Sequence, residues 1–208
     1  MREKEKTKIL IVILLFLLGD VQLWAANCHR LQSVSSGDLV SYLASTMPDY
    51  RNAECAAFAI DKLGTLRYQP AIPVLTKFLD FRWPRNVQKN LQAQQNDRAF
   101  EPSRGRPGTY PAISALEQYG QEALPALLQT ITADSTSTTA REAAVFVLIK
   151  IYKDEPSKGV ALLKEGADTT KDNATRQRLG RAAFRAVAWC GPSDKAQCEA
   201  VVHTRHSN

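Results

Sequence analysis

The chain has 208 residues and a formal net charge of +6. Its acids and bases are interleaved, so the modest positive excess reads as a solvated surface, and nucleic acid is not the expected partner. Only three histidines occur, and no HExxH, GxSxG or phosphate-cradling glycine loop is present, which excludes the commonest metal-hydrolase, serine-hydrolase and nucleotide-binding signatures.

The N-terminus has the three parts of a secretory signal. Met1 to Lys8 carries Arg2, Lys4, Lys6 and Lys8, Ile9 to Leu18 is continuously apolar, and Leu23-Trp24-Ala25-Ala26 offers small residues for cleavage. The apolar run is about half of what a spanning helix needs. The reading is therefore a signal peptide over residues 1–25 with no stable membrane span after cleavage; the alternative is an uncleaved anchor. Export places the protein in the periplasm or outside the cell. The mature part, residues 26–208, is long enough for one domain with its own core.

All four cysteines, Cys28, Cys55, Cys190 and Cys198, lie in that mature part. An even count in an exported chain points to disulfides. Three pairings are possible. Cys190–Cys198 is favoured because Gly191-Pro192 turns the chain between them, and Cys28–Cys55 then follows by elimination. Free, buried thiols are the alternative.

Next in chain order, Ser36 to Thr46 reads as a helix with Leu39, Tyr42 and Leu43 inward. Two later segments match each other. In the first, Ala53, Ala57, Ile60 and Leu63 recur at helical spacing, Gly64 is expected to stop the helix, and Ala71-Ile72-Pro73-Val74-Leu75 opens a second one. In the second, Ala112 to Tyr119 is followed by Gly120 and by Ala123-Leu124-Pro125-Ala126-Leu127. Pro73 and Pro125 are tolerated because a first turn loses no backbone donor there. A third pair is looser. Thr139-Ala-Arg-Glu142 reads as a capping box, Ala144, Leu148 and Ile151 continue its face, Pro156 opens the partner helix, and Gly166 is expected to end it. The fourth pair starts near Asn173, with Leu179, Ala183 or Phe184, Val187 and Cys190 as its stripe, and Ser193 is expected to cap a last helix through Val202. Strand alternation and hairpin dipeptides are nearly absent.

The segment from Asp80 to Thr109 interrupts this pattern. Connections of that length are unusual inside a compact domain, so residues 80–109 read as an insertion, part of which (Val87 to Gln95) suits a short helix. Arg82, Trp83 and Arg85 at its start and Tyr110 at its return are the interaction candidates, because tryptophan, tyrosine and arginine most often anchor interfaces.

The paired signatures Leu63-Gly64…Ala71-Ile72-Pro73-Val74-Leu75 and Tyr119-Gly120…Ala123-Leu124-Pro125-Ala126-Leu127 resemble HEAT and HEAT-like repeats, the group that includes the repeats of phycobilisome lyases. Pro73 and Pro125 are 52 residues apart, beyond the usual period of about 40–47, and the insertion accounts for the excess. The resemblance implies an all-α chain: a short α-solenoid of about four stacked antiparallel helix pairs with one long insertion. It also implies that another protein is the partner. The residues supply no catalytic group, metal ligand or cofactor motif, so the expectation is an interaction or scaffold module. The alternatives are an enzyme or ligand-handling protein of the lyase type, or a purely structural envelope protein.

Overall fold

The computed structural model describes residue 28 and residues 30–46, 52–83 and 110–204. The expected signal peptide, Arg85 and the insertion beyond Trp83, with its suggested short helix, lie outside the described residues. Among the described residues every regular element is helical, and no helix is long and apolar enough to cross a membrane.

The helices are α1 (Ser36–Ser45), α2 (Ala53–Leu66), α3 (Ile72–Thr76), α4 (Pro111–Tyr119), α5 (Leu124–Thr132), α6 (Thr138–Ile151), α7 (Pro156–Thr169), α8 (Asn173–Ala186) and α9 (Lys195–His203). Prolines open α3, α4, α5 and α7 within their first two positions, where φ is already set and no ladder donor is lost. Helix α2 packs on α4, α4 on α6, and α6 on α8. Beside this row α3 packs on α5, and α7 packs on α9 and α8. One hydrophobic cluster threads the described helices. Leu39 and Leu43 of α1, Ile60 and Leu63 of α2, Leu116 and Tyr119 of α4, and Leu148 of α6 are fully buried in it.

Several expected boundaries shift, each for a non-local reason. Gly64 does not stop α2. The helix runs on to Leu66, and Arg67 takes the left-handed conformation at φ 48°. Gly64 instead sits where α2 and α4 touch, and a Cβ there would lie 2.7 Å from both Cα and Cβ of Ala115. Gly120 does end α4, at φ 60°. Gly166 does not end α7, which continues to Thr169; its missing side chain leaves room for Leu179 of α8. The cap of α6 is Ser137, two residues before the expected one, and its hydroxyl oxygen accepts the Ala140 amide at 3.1 Å. At α9 Asp194 occupies the cap position, and the Ser193 hydroxyl donates to its carboxylate instead. Of the two residues weighed for the α8 stripe, Ala183 is buried and Phe184 is 68% exposed.

Tyr119 joins the first two helix pairs. Its phenol donates toward the carbonyls of Leu63 (2.8 Å) and Tyr68 (3.0 Å). Burial pushes its pKa up to about 12, and the Glu122 charge adds to this, while Arg67 and the Tyr68 contact act against it. Arg67 in turn donates to the Tyr119 carbonyl at the end of α4, where a cation complements the helix dipole.

The cysteines pair as favoured. Cys28–Cys55 and Cys190–Cys198 stand at disulfide distance, with Cα separations of 5.0 and 6.7 Å, inside the range that a bridge spans. The pairs are compatible with an oxidising extracellular environment. Cys28–Cys55 fixes the start of the described chain to α2. Lys62 of α2 reinforces it by donating to the carbonyls of Leu31, Gln32 and Val34.

Candidate functional site

The structure brings together three of the four residues singled out in the sequence. Arg82 is exposed and Trp83 is half-buried against the core. Tyr110, the residue before α4, also packs on the core. Burial raises the Tyr110 pKa, and the Arg82 charge pulls it the other way, so the start of the insertion lies within electrostatic reach of Tyr110. Arg85 lies outside the described residues. Trp83 and Tyr110 therefore seat the mouth of the insertion on the helices, and Arg82 faces solvent.

A side-chain contact ties the start of the insertion to the second half of the molecule. The Ser137 hydroxyl, which caps α6, donates to the Asp80 carboxylate at 2.7 Å. Helix α6 leads from this contact into a groove that the sequence reading did not anticipate.

The groove has a volume of about 390 Å³ and runs between α6 and α8. Its α6 wall is Thr138, Arg141, Glu142 and Val145. Its α8 wall is Arg178, Arg181, Ala182 and Arg185. Four arginines thus face a single carboxylate among the lining residues. Alanines keep α8 close to its neighbours: Ala182, Ala183 and Ala186 are buried.

The four arginines divide into two kinds. Arg141 donates to the carbonyls of Ile131 (3.0 Å), Ala133 (2.9 Å) and Thr136 (3.1 Å). Arg178 donates to the Thr132 carbonyl at 2.6 Å and pairs with Asp134. Together they satisfy carbonyls left open at the C-terminal end of α5, where positive charge is favoured. These two are structural. Arg185 makes a half-exposed pair with Glu142 at 3.1 Å. Arg181 is exposed, donates only to the Gln177 carbonyl of its own helix, and pairs with no carboxylate among the described residues. Arg181 and Arg185 are the pair available to a ligand.

One turn beyond Glu142 and Arg185, Phe146 and Trp189 meet edge to face at 5.6 Å, and Lys150 Nζ lies 5.6 Å from the Phe146 ring centre. Asp172 caps α8 by accepting the Thr175 amide at 2.7 Å. Hydrogen bonds from Thr175, from its side chain first and its amide second, lower the Asp172 pKa.

Two further clefts border α7. One, of about 370 Å³, lies between α5 and α7 and is floored by Leu179. The other, of about 560 Å³, lies between α7 and α9. Their charged groups, Glu165, Lys164 and Asp168, stand on the outer surface of α7, and Lys164 is paired with Asp168. Among the described residues no group of three His, Cys, Asp or Glu side chains could hold a metal ion.

The arginine groove left a trace in the sequence that apolar periodicity passes over. Arg178, Arg181 and Arg185 recur at intervals of three and four, which is the spacing of one helical face. The opposite wall comes from residues some forty positions earlier, so only the packing of α6 on α8 assembles the site. No protein-family model, no curated protein and no solved structure matches this chain.

Proposed function

We propose that the chain is an exported protein-interaction module, with its helix pairs stacked in the manner of HEAT repeats and its contact surface at the α6–α8 groove and the neighbouring mouth of the insertion. The three-part N-terminal signal and the two cysteine pairs support export to the periplasm or the exterior. The continuous row α2, α4, α6, α8 supports stacking, as do the prolines that open the second helix of each of the first three pairs. The observation that carries the reading is the groove itself: a recessed surface between two packed helices, rich in arginine, with the large exposed aromatic residue Phe184 on α8 outside its lining. Arginine and aromatic side chains are the groups that most often dominate binding energy at protein interfaces.

The test is site-specific photo-crosslinking of the full chain in cells that export it. With the crosslinking residue at Phe184 or Arg82, a discrete product with a second protein is expected. With the same residue at Lys153, which is exposed on the turn after α6, no such product is expected. Crosslinks that are absent at all three positions, or equally abundant at all three, overturn the reading.

A further inference from the structure

We infer that the outward face of α8, together with the arginine groove beside it, binds an extended acidic peptide segment whose alternate side chains are apolar. This rests on the interaction-module reading and names the chemistry of the partner.

Gly180 supplies the observation that points to a ligand. It lies in the middle of α8, where glycine destabilises a helix relative to alanine. In helix interiors elsewhere, Gly64, Gly159 and Gly166 are explained by contact, and Gly37 lies in the first turn of α1. A Cβ at Gly64 would collide with Ala115, and one at Gly159 would come within 2.9 Å of Ile149 and 3.0 Å of Leu148. At Gly180 a Cβ would meet nothing within 4 Å. The described residues therefore give no packing reason for a missing side chain there. A bound backbone lying close to the helix supplies one.

The groups around Gly180 define what lies there. Phe184 follows it by four residues, so the two are neighbours on one helix face. Phe184 is 68% exposed and is one of two large hydrophobic side chains so exposed among the described residues. Arg181 precedes Phe184 by three, which places its cation beside the ring, and it precedes Arg185 by four, which places both cations on the groove side of the helix. The surface thus runs from cationic groove to exposed ring to bare backbone.

An extended peptide matches this order. Its successive side chains point to opposite faces, so acidic residues can enter the groove while apolar ones cover Phe184 and Gly180. Side chains on one face of such a strand repeat about every 6.5–7 Å. The rise from Arg181 to Arg185 along α8 is about 6 Å. Two carboxylates at alternate positions therefore meet two guanidinium forks, the geometry that binds carboxylate in a bidentate way. Glu142 holds Arg185 in the free protein at 3.1 Å, and the incoming carboxylate takes over that role. A recess with one apolar edge suits a single chain better than the flat array of a lipid surface.

The probe is a fluorescein-labelled dodecapeptide of alternating glutamate and leucine, titrated into the full chain after export, with its cysteines oxidised. Binding is followed by anisotropy and by amide and arginine side-chain NMR shifts. Saturable binding is expected, with shifts centred on Gly180, Arg181 and Arg185. Arg181→Glu is expected to weaken it by at least about tenfold, the value of a charge-assisted contact. Gly180→Gln is expected to weaken it comparably while circular dichroism and thermal unfolding show a folded protein. Lys153→Glu is the surface control and is expected to leave affinity within about twofold. The inference is overturned if Arg181→Glu binds the peptide as tightly as the unaltered protein. It is also overturned if a glutamate–serine peptide binds equally well, or if vesicles of anionic phospholipid compete the peptide off at equal charge. A partner crosslinked through Phe184 with no binding of the acidic probe would sink this inference alone and leave the module reading standing.

Discussion

The seam between α2 and α4 and the seam between α6 and α8 occupy equivalent places in the row of helices, yet they are built on different terms. At the first, Gly64 meets Ala115 so closely that no side chain fits between the backbones. Tyr119 then bolts the two pairs together from within the core. At the second, the helices are joined on their outer edge by Arg185–Glu142, and Arg178 reaches across to Thr132 and Asp134. A groove remains between them. Small residues close a seam and make it a structural joint. Long cations bridge the outer edge of a seam and leave a surface there that something else can enter.

That contrast can be broken or sharpened by substitution. The largest effect is expected from Gly64→Ala. The new methyl would press on the Ala115 backbone, which cannot swing aside as a flexible side chain could, and overpacking of this kind costs about 1–3 kcal/mol. Chemical denaturation should read that loss directly. A loss near zero would mean that the first seam is looser than its geometry indicates. A smaller effect, about 1 kcal/mol, is expected from Tyr119→Phe, which removes the donor to two carbonyls but keeps the buried ring. It should appear as a fall in Tm of about 2–4 °C for a chain of this size. An unchanged Tm would show that the ring alone carries the joint.

Much of the helix order was legible because it depends on local signals. Apolar residues at helical spacing located α1, α2 and α4. Pro73, Pro125 and Pro156 marked helix starts, since proline in a first turn costs no ladder bond. The pairing of Cys190 with Cys198 followed from a turn between near neighbours. What was misread depended on distant partners. Gly64 looks like a stop signal until Ala115, about fifty residues later, packs against it. Gly166 looks like another until Leu179 fills the space beside it. The choice between Ala183 and Phe184 turns on how close α8 lies to its neighbours, and close approach favours the smaller side chain. The candidate site was legible only at its margin. Trp83 and Tyr110 were visible as anchors, but they anchor the mouth of the insertion to the core. The groove needed two helices brought together, and its arginines carry no apolar periodicity.

The two glycines give the most direct measurement of the central claim, that the α2–α4 seam is reserved for structure and the α8 face is free for a ligand. Gly180→Ala should be made in the full-length exported chain and its equilibrium unfolding compared with the unaltered protein. With open space above Gly180, alanine is expected to raise stability by about 0.5–1 kcal/mol, the helix-propensity difference between the two residues. A loss of stability, in the direction expected for Gly64→Ala, would mean that the fold itself needs Gly180 and would contradict the account.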